Sequence, residues 1–108
     1  DRASARNVYV KTLQYAPDQA NAANNLGVLY FEEKNYDEAR KYFEQSVKYM
    51  PSNSDSWGNL GAIEHNLGNL PKAIEHYQRS LSINPANQNV QGNLQKAQNA
   101  LQGQQLKN

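Results

Sequence analysis

The side chains that could do acid–base or metal chemistry are few, and their spacing suits neither task. His65 and His76 are the only histidines, and they are eleven residues apart. Two imidazoles that bind a metal from one helix face stand about four residues apart. The chain has no Cys, which excludes thiolate catalysis, disulfides and thiolate metal ligands. It has no Gly-rich phosphate loop and no Ser, His and Asp arrangement. We therefore predict a protein that is not an enzyme, with no cofactor and no metal site.

The unusual feature of the composition is its content of carboxamides, with 15 Asn and 11 Gln among 108 residues. A carboxamide has both a donor and an acceptor, so it can pair with a peptide group of another chain. Charge is balanced at +1, which argues against nucleic acid or an anionic membrane surface as the partner. No apolar run reaches the roughly 18 to 20 residues of a membrane span. These features favour a protein partner, with no nucleic acid and no direct membrane insertion.

The length fits a single domain. The sequence begins at Asp1 without an initiator Met and shows no signal-peptide pattern. We therefore expect a segment of a longer chain, whose targeting is not readable here. Its localisation is unknown, with the cytoplasm as the default.

An internal repeat of 34 residues supplies the elements that must position these side chains. Leu26-Gly27 recurs as Leu60-Gly61, and several other residues recur at the same interval: Ala39 and Ala73, Phe43 and Tyr77, Ser46 and Ser80, Pro51 and Pro85. Apolar residues within each unit recur at helical spacing in two segments. Asn35 and Asn69 are predicted to cap the second helix of each unit, and Pro51 and Pro85 to end it. Gly27, Gly61 and their recurring alanines fall where two helices of a hairpin must approach closely.

Two blocks of the sequence resemble the tetratricopeptide repeat (TPR) family. The first comprises residues 24–30 and 35–39 with Phe43 and Pro51, and the second comprises residues 57–61 with Gly68-Asn69, Ala73, Tyr77 and Pro85. The resemblance implies an all-α fold, a right-handed superhelical solenoid of about six antiparallel helices over residues 1–102. The expected parts are the second helix of a truncated repeat at 2–15, repeats at 19–50 and 53–84, a capping helix at 87–102 and a flexible tail at 103–108. Ala23 replaces the signature Trp of the first repeat, and Glu64 stands where an aromatic residue is usual.

The resemblance also implies where a ligand would bind, since the first helix of each TPR lines a concave groove. Asn25, Asn59 and Asn93 recur there and are expected to form a ladder of amides. Such ladders bind extended peptides in some superhelical members, including the arm of O-linked N-acetylglucosamine transferases. The alternative is that these residues serve helix packing or hydration. The other predicted groove residues are Asn24, Val28, Phe31, Asp55, Ala62, His65, Asn66, Asn89 and Lys96.

Some of these groove residues have a second interpretation. Phe31 is either an apolar anchor for a ligand or a packing residue at the repeat junction. His65 reads as a rim residue. Gly58 and Gly92 either open the groove to a ligand or are tolerated on helices held by packing.

One subclass of the family holds the C-terminal carboxylate of heat-shock chaperones with a Lys/Asn/Asn/Lys/Arg clamp. The corresponding positions here are Asn24, Val28, Asn59, Asn89 and Asn93, of which only Asn59 matches. Without a cation the carboxylate loses its charge-assisted hydrogen bonds, which disfavours the clamp function.

The sequence thus predicts a protein–protein interaction module that binds a peptide or helix of a partner protein in its concave groove. One alternative is a structural scaffold that self-associates through helix 2–15, where Val8, Tyr9 and Leu13 leave an apolar face. Another alternative is the substrate-recruiting arm of a larger enzyme such as a glycosyltransferase.

Overall fold

The computed structural model describes residues 1–107, and Asn108 lies outside that range. The described part forms six α-helices and no strand: α1 (Arg2–Tyr15), α2 (Ala20–Glu32), α3 (Tyr36–Tyr49), α4 (Ser54–Asn66), α5 (Leu70–Ile83) and α6 (Gln88–Lys107). Each helix packs on the next, and α4 also contacts both α2 and α6. Helices α2, α4 and α6 therefore stand side by side in an array that measures 49 × 26 × 21 Å. The predicted all-α fold is confirmed.

A glycine allows the two helices of each repeat to approach closely. A Cβ on Gly27 would lie 2.6 Å from Cε1 of Phe43, and a Cβ on Gly61 would lie 2.5 Å from Cδ1 of Tyr77. Both aromatic rings are buried, so neither can move aside without disturbing the core. This contact is the physical reason why Gly27 recurs as Gly61.

The core consists of three buried clusters along the array rather than one central core. The first is built around Leu13 and Leu26, and the second around Phe43 and Ile63. The third includes Tyr77 with the apolar stripe of α6, formed by Val90, Leu94, Ala97 and Leu101. Such serial packing is typical of solenoids, where each unit contacts only its neighbours.

The last helix is longer than the sequence indicated. We predicted a flexible tail at 103–108, but α6 continues through Gly103 to Lys107. The residues that follow Gly103 are Gln, Leu and Lys, which have good helix propensity and outweigh the single Gly. The predicted helix end at residue 102 is therefore too early. The flexibility of residues 103–107 stays a prediction, and Asn108 lies outside the described range.

The turns inside the two repeats have the same shape but different residues. Lys34 has φ 62° and Gly68 has φ 84°, one repeat apart. Asn35 and Asn69 stand at the predicted N-cap positions, yet neither side chain accepts a capping hydrogen bond. The amide of Asn69 instead donates to Oε1 of Glu64 at 3.1 Å. The predicted side-chain caps are therefore wrong.

Two ion pairs connect α1 to the C-terminal end of α2. Arg2 contacts Glu32 at 2.9 Å, and Arg6 contacts Glu33. The opposite side of α1 is open, since Val8 is 60% exposed and Tyr15 is 91% exposed. Of the apolar face predicted at Val8, Tyr9 and Leu13, only Val8 is open, because Leu13 is buried and Tyr9 packs against the first core cluster. None of the helices within residues 1–107 has both the length and the hydrophobicity to cross a membrane.

Candidate functional site

A groove of about 360 Å³ lies where α2, α4 and α6 stand side by side. Seven of its lining residues were predicted from the sequence: Asn24, Val28, Asp55, Asn59, Ala62, Asn89 and Asn93. Gly58, Asn87 and Val90 complete the lining. The structure thus brings together amides from all three helices in one open depression.

Two of these amides are hydrogen-bonded to each other across the junction between α2 and α4. Nδ2 of Asn59 donates to Oδ1 of Asn24 at 3.0 Å. The same oxygen accepts a second hydrogen bond, from Oγ of Ser56 at 2.9 Å. Both asparagines are half-buried, and both line the groove. The first rung of the groove is therefore a fixed pair of amides rather than two mobile side chains.

The second rung, between α4 and α6, is built differently. Asn93 lines the groove, but Gly58 occupies the position that Asn24 has in the first repeat. A Cβ on Gly58 would lie 3.1 Å from Cγ2 of Val90 and 3.3 Å from Oγ of Ser80. Close packing explains this glycine. Gly92 has open space around it, so packing sets no such demand there.

Asparagine side chains cap the N-termini of α4 and α6. Oδ1 of Asn53 accepts from the backbone N–H of Ser56 at 3.2 Å, and Oδ1 of Asn87 accepts from the backbone N–H of Val90 at 3.1 Å. These bonds satisfy donors that a helix start leaves unpaired. They fix the first turns of the helices that present Asn59 and Asn93.

The groove is polar but carries almost no charge. Asp55 is the one charged residue among those that line it, and no Lys or Arg of residues 1–107 takes part in the lining. The lining therefore has no cation for a ligand carboxylate. It suits a neutral ligand with hydrogen-bonding groups, such as the main chain of a peptide.

Five predicted groove residues lie outside this lining. Asn25 is exposed on α2. It is equivalent to Asn59 of the next repeat, which points back to α2 of the preceding repeat, so Asn25 faces away from α4. Phe31 packs against the second core cluster and Tyr36, with ring centroids 5.5 Å apart. Nδ1 of His65 lies 3.3 Å from the hydroxyl of Tyr77. Asn66 donates to the carbonyl of Ala62 at 2.8 Å, and Lys96 is exposed.

A second cavity, of about 390 Å³, lies between α3 and α5. Val47, Trp57 and Leu60 are its apolar residues. Arg40 and Glu64 form an ion pair at its edge, with 2.8 Å between Nη2 and Oε1. The repeat pattern did not indicate this cavity, although Glu64 stands at a position where an aromatic residue is usual and marks its place in the sequence.

The carboxylate of Glu64 is held in its charged form although its side chain is only 3% exposed. Burial raises the pKa of Glu64, but hydrogen bonds from Asn69 and Arg40 and the charge of Arg40 together set it below 4.5. On the wall of the same cavity, burial lowers the pKa of His76 below its ordinary value. The ion pair has a structural role, since it ties α3 to α4.

Ser46 and Ser56 were not among the residues predicted from the sequence. Both are fully buried, and their hydroxyls lie 2.7 Å apart. Ser46 recurs as Ser80, so a polar residue at a core position was visible in the repeat. Ser56 has Val90 as its counterpart, so the period alone did not indicate it.

Within residues 1–107, no group of three or more His, Cys, Asp or Glu side chains is placed to hold a metal ion.

Two segments match the family described as tetratricopeptide repeat, at residues 20–53 and 54–87. Together they span well over half of the chain, and each contains one helical hairpin with its Gly–aromatic contact. The chain belongs to the TPR family. A comparison with curated proteins finds no match.

Solved TPR structures superpose closely on this one. The first TPR domain of Spaghetti (RPAP3), bound to the HSP90 peptide SRMEEVD, is 25% identical, with 93% of this chain and 79% of that chain covered and a TM-score of 0.88. The Sgt2 TPR domain from Aspergillus fumigatus is 17% identical, with 94% and 68% covered and a TM-score of 0.87. MamA is 19% identical, with 94% and 59% covered and a TM-score of 0.86. The last two share the fold of this TPR chain.

Proposed function

We propose that this TPR domain binds an extended peptide segment of a partner protein in the groove between α2, α4 and α6. Asn59 and Asn93 contact the main chain of the peptide, and Asn24 completes the first rung. The observation that carries the proposal is the hydrogen-bonded amide pair of Asn24 and Asn59 in an open, polar groove whose lining has no cation within residues 1–107. The first TPR domain of Spaghetti, a relative at 25% identity, is bound to a peptide, which supports this class of ligand.

The groove favours the peptide main chain over a terminal carboxylate. A carboxylate ligand needs charge-assisted hydrogen bonds, and no Lys or Arg is among the residues that line this groove within residues 1–107. Asp55 adds repulsion for an anion at the same place. The proposed ligand is therefore an internal, neutral or basic segment, in contrast to the acidic SRMEEVD peptide of the Spaghetti complex.

A selection of random peptides displayed on phage tests the proposal. It is run on the unaltered protein, on the Asn59→Ala/Asn93→Ala variant and on Asn25→Ala as a matched control, because Asn25 is an exposed amide outside the groove lining. We expect peptides that bind the unaltered protein and Asn25→Ala and lose most of their affinity for the double variant. Peptides indifferent to Asn59 and Asn93, with the helicity of all three proteins equal, would contradict the proposal.

Self-association through α1 is a second candidate function, favoured by the exposed side chains of Val8 and Tyr15. Light scattering between micromolar and millimolar concentration tests it. We expect a mass that rises with concentration and that Val8→Asp keeps at the monomer value. A monomeric mass for the unaltered protein over the whole range would exclude this candidate.

A further inference from the structure

A continuous chain of hydrogen bonds connects the start of α4 to the groove. It begins at Nδ2 of Asn53, which lies 3.4 Å from Oγ of Ser46. It continues from Ser46 to Ser56 at 2.7 Å and from Ser56 to Oδ1 of Asn24 at 2.9 Å. Asn59 donates to the same oxygen from the other side. The two serines at its centre are fully buried, so water does not compete for these bonds.

The direction of this chain is fixed by the groups at its start. Oδ1 of Asn53 accepts from the backbone N–H of Ser56, so its Nδ2 must be the group that faces Ser46. Ser46 then donates to Ser56, and Ser56 donates to Asn24, because each hydroxyl has one proton. In the reverse direction the buried proton of Ser46 would have no acceptor among the hydrogen bonds of residues 1–107, which is costly.

The fixed direction determines which atoms the amide pair presents to a ligand. Oδ1 of Asn24 and Nδ2 of Asn59 are used inside the chain of bonds. Nδ2 of Asn24 and Oδ1 of Asn59 have no hydrogen bond within residues 1–107 and are not among its buried unpaired atoms. Both residues line the groove. The first rung therefore offers one donor and one acceptor, which match the C=O and N–H of an extended peptide.

We infer that Ser46 and Ser56 are positioning residues for the groove. They hold Asn24 with its N–H group, and Asn59 with its carbonyl, toward the main chain of a bound peptide, without touching the peptide themselves. The inference rests on the proposed function for the identity of the ligand. The orientation of the two amides is a property of the free protein and is measured without a ligand.

Ser80 provides a matched control. It occupies the position of Ser46 one repeat later and is equally buried. Its hydroxyl bonds to the carbonyl and hydroxyl of Ser54, at 2.9 and 3.1 Å, and to no groove amide. Ser80→Ala therefore removes a buried hydroxyl of the same kind without breaking the hydrogen bonds that lead to Asn24.

The first experiment is nuclear magnetic resonance of the side-chain amide of Asn59 in the free protein, with Asn59→Ala used to assign its signal. We expect Ser56→Ala to move this signal toward that of the exposed Asn25 and to speed its exchange with water at least threefold. Ser80→Ala leaves it in place. An unchanged signal in Ser56→Ala, or an equal shift in Ser80→Ala, would overturn the inference.

The second experiment measures affinity for the tightest peptide from the phage selection. Ser56→Ala is expected to weaken binding about two- to tenfold, the worth of one ligand hydrogen bond. Asn24→Asp is a second variant, whose carboxylate keeps both acceptor positions but has no N–H for the peptide. In this variant the side-chain amide resonance of Asn59 should stay in place, and the affinity for the peptide should also fall about two- to tenfold. Unchanged affinity in both variants would overturn the inference.

Failure of the proposed function would look different. Asn59→Ala would then leave peptide affinity unchanged, or no peptide would be selected. The resonance measurement on Ser56→Ala would still decide whether the serines position the amides.

Discussion

The two junctions of this TPR array have the same arrangement of helices but different side-chain contacts in their interiors. At the junction of α2 with α4, the three equivalent positions are Asn24, Ser46 and Ser56, which form a hydrogen-bonded chain. At the junction of α4 with α6 they are Gly58, Ser80 and Val90, which pack tightly. A buried hydroxyl is hydrogen-bonded to a groove amide at the first junction, whereas the buried hydroxyl of Ser80 bonds to Ser54 at the second. A ladder of recurring Asn residues is therefore not a row of identical rungs.

The opposite face of the array shows the same kind of difference. In the first repeat, the ring of Tyr30 stacks on Tyr42 with centroids 5.7 Å apart, and the guanidinium of Arg6 lies over Tyr30. One repeat later the corresponding residues are Glu64, His76 and Arg40. There the arginine forms an ion pair with Glu64, and a cavity replaces the stacked rings.

The largest effect is expected from breaking the ion pair of the second repeat. Glu64→Gln leaves Arg40 only the exposed Asp37, at 4.0 Å, as a charge partner. We expect a loss of about 2–3 kcal/mol in the free energy of unfolding, less than for a fully buried pair because the Arg40 side chain is 30% exposed. Glu64→Tyr copies Tyr30 and lets Arg40 stack as Arg6 does, so it should lose less. Urea unfolding measures both variants. A loss under about 0.5 kcal/mol for Glu64→Gln, the range of ordinary surface changes, would show that the pair has no structural role.

A smaller loss is expected from placing an amide in the second junction. Gly58→Asn brings a Cβ against Val90, and such overpacking costs about 1–3 kcal/mol. Val90→Ser removes the contact and supplies a hydroxyl in the position of Ser56. The double variant should therefore lose less than the sum of the two single losses in urea unfolding. Additive losses would mean that the side chains at positions 58 and 90 do not interact, and that they do not account for the difference between the two junctions.

The pH dependence of stability separates the two repeats further. Because the pKa of Glu64 is lowered on folding, its contribution is complete above the ordinary value of 4.5 and is lost as pH falls through the folded value. The stability difference between the unaltered protein and Glu64→Gln should therefore shrink below about pH 4.5. Urea unfolding from pH 7 to pH 3 measures it. A constant difference would contradict a lowered pKa.

The smallest effect concerns the turns inside the repeats. Lys34 adopts the positive φ that Gly68 adopts one repeat later. Lys34→Gly relieves that conformation and should raise stability by up to about 1 kcal/mol. Gly68→Ala has space for its Cβ but not a favoured φ, so it should lower stability by a similar amount. Thermal unfolding of both variants checks the pair. Equal signs would show that the two turns are not equivalent.

Much of the fold could be predicted because the 34-residue period marks each hairpin and its close contacts, such as Gly27 with Phe43. The 34-residue period predicted the hydrogen bonds of the groove less well than it predicted the fold. Asn24 pairs with Asn59, which is not its counterpart in the repeat, and Ser56 has an apolar counterpart. A comparison of repeats aligns equivalent positions, so it does not reveal contacts between residues at different positions of neighbouring repeats. The continuation of α6 past Gly103 depended on local helix propensity, which a repeat comparison also omits.

The most direct test of the account is a titration of ¹⁵N-labelled protein with a selected peptide, followed by nuclear magnetic resonance of the side-chain amides. We predict saturable shifts for Asn24, Asn59 and Asn93, with the signals of Asn25 and Asn66 unchanged. Shifts that cluster instead around Trp57 and His76, in the cavity between α3 and α5, would contradict binding in the groove.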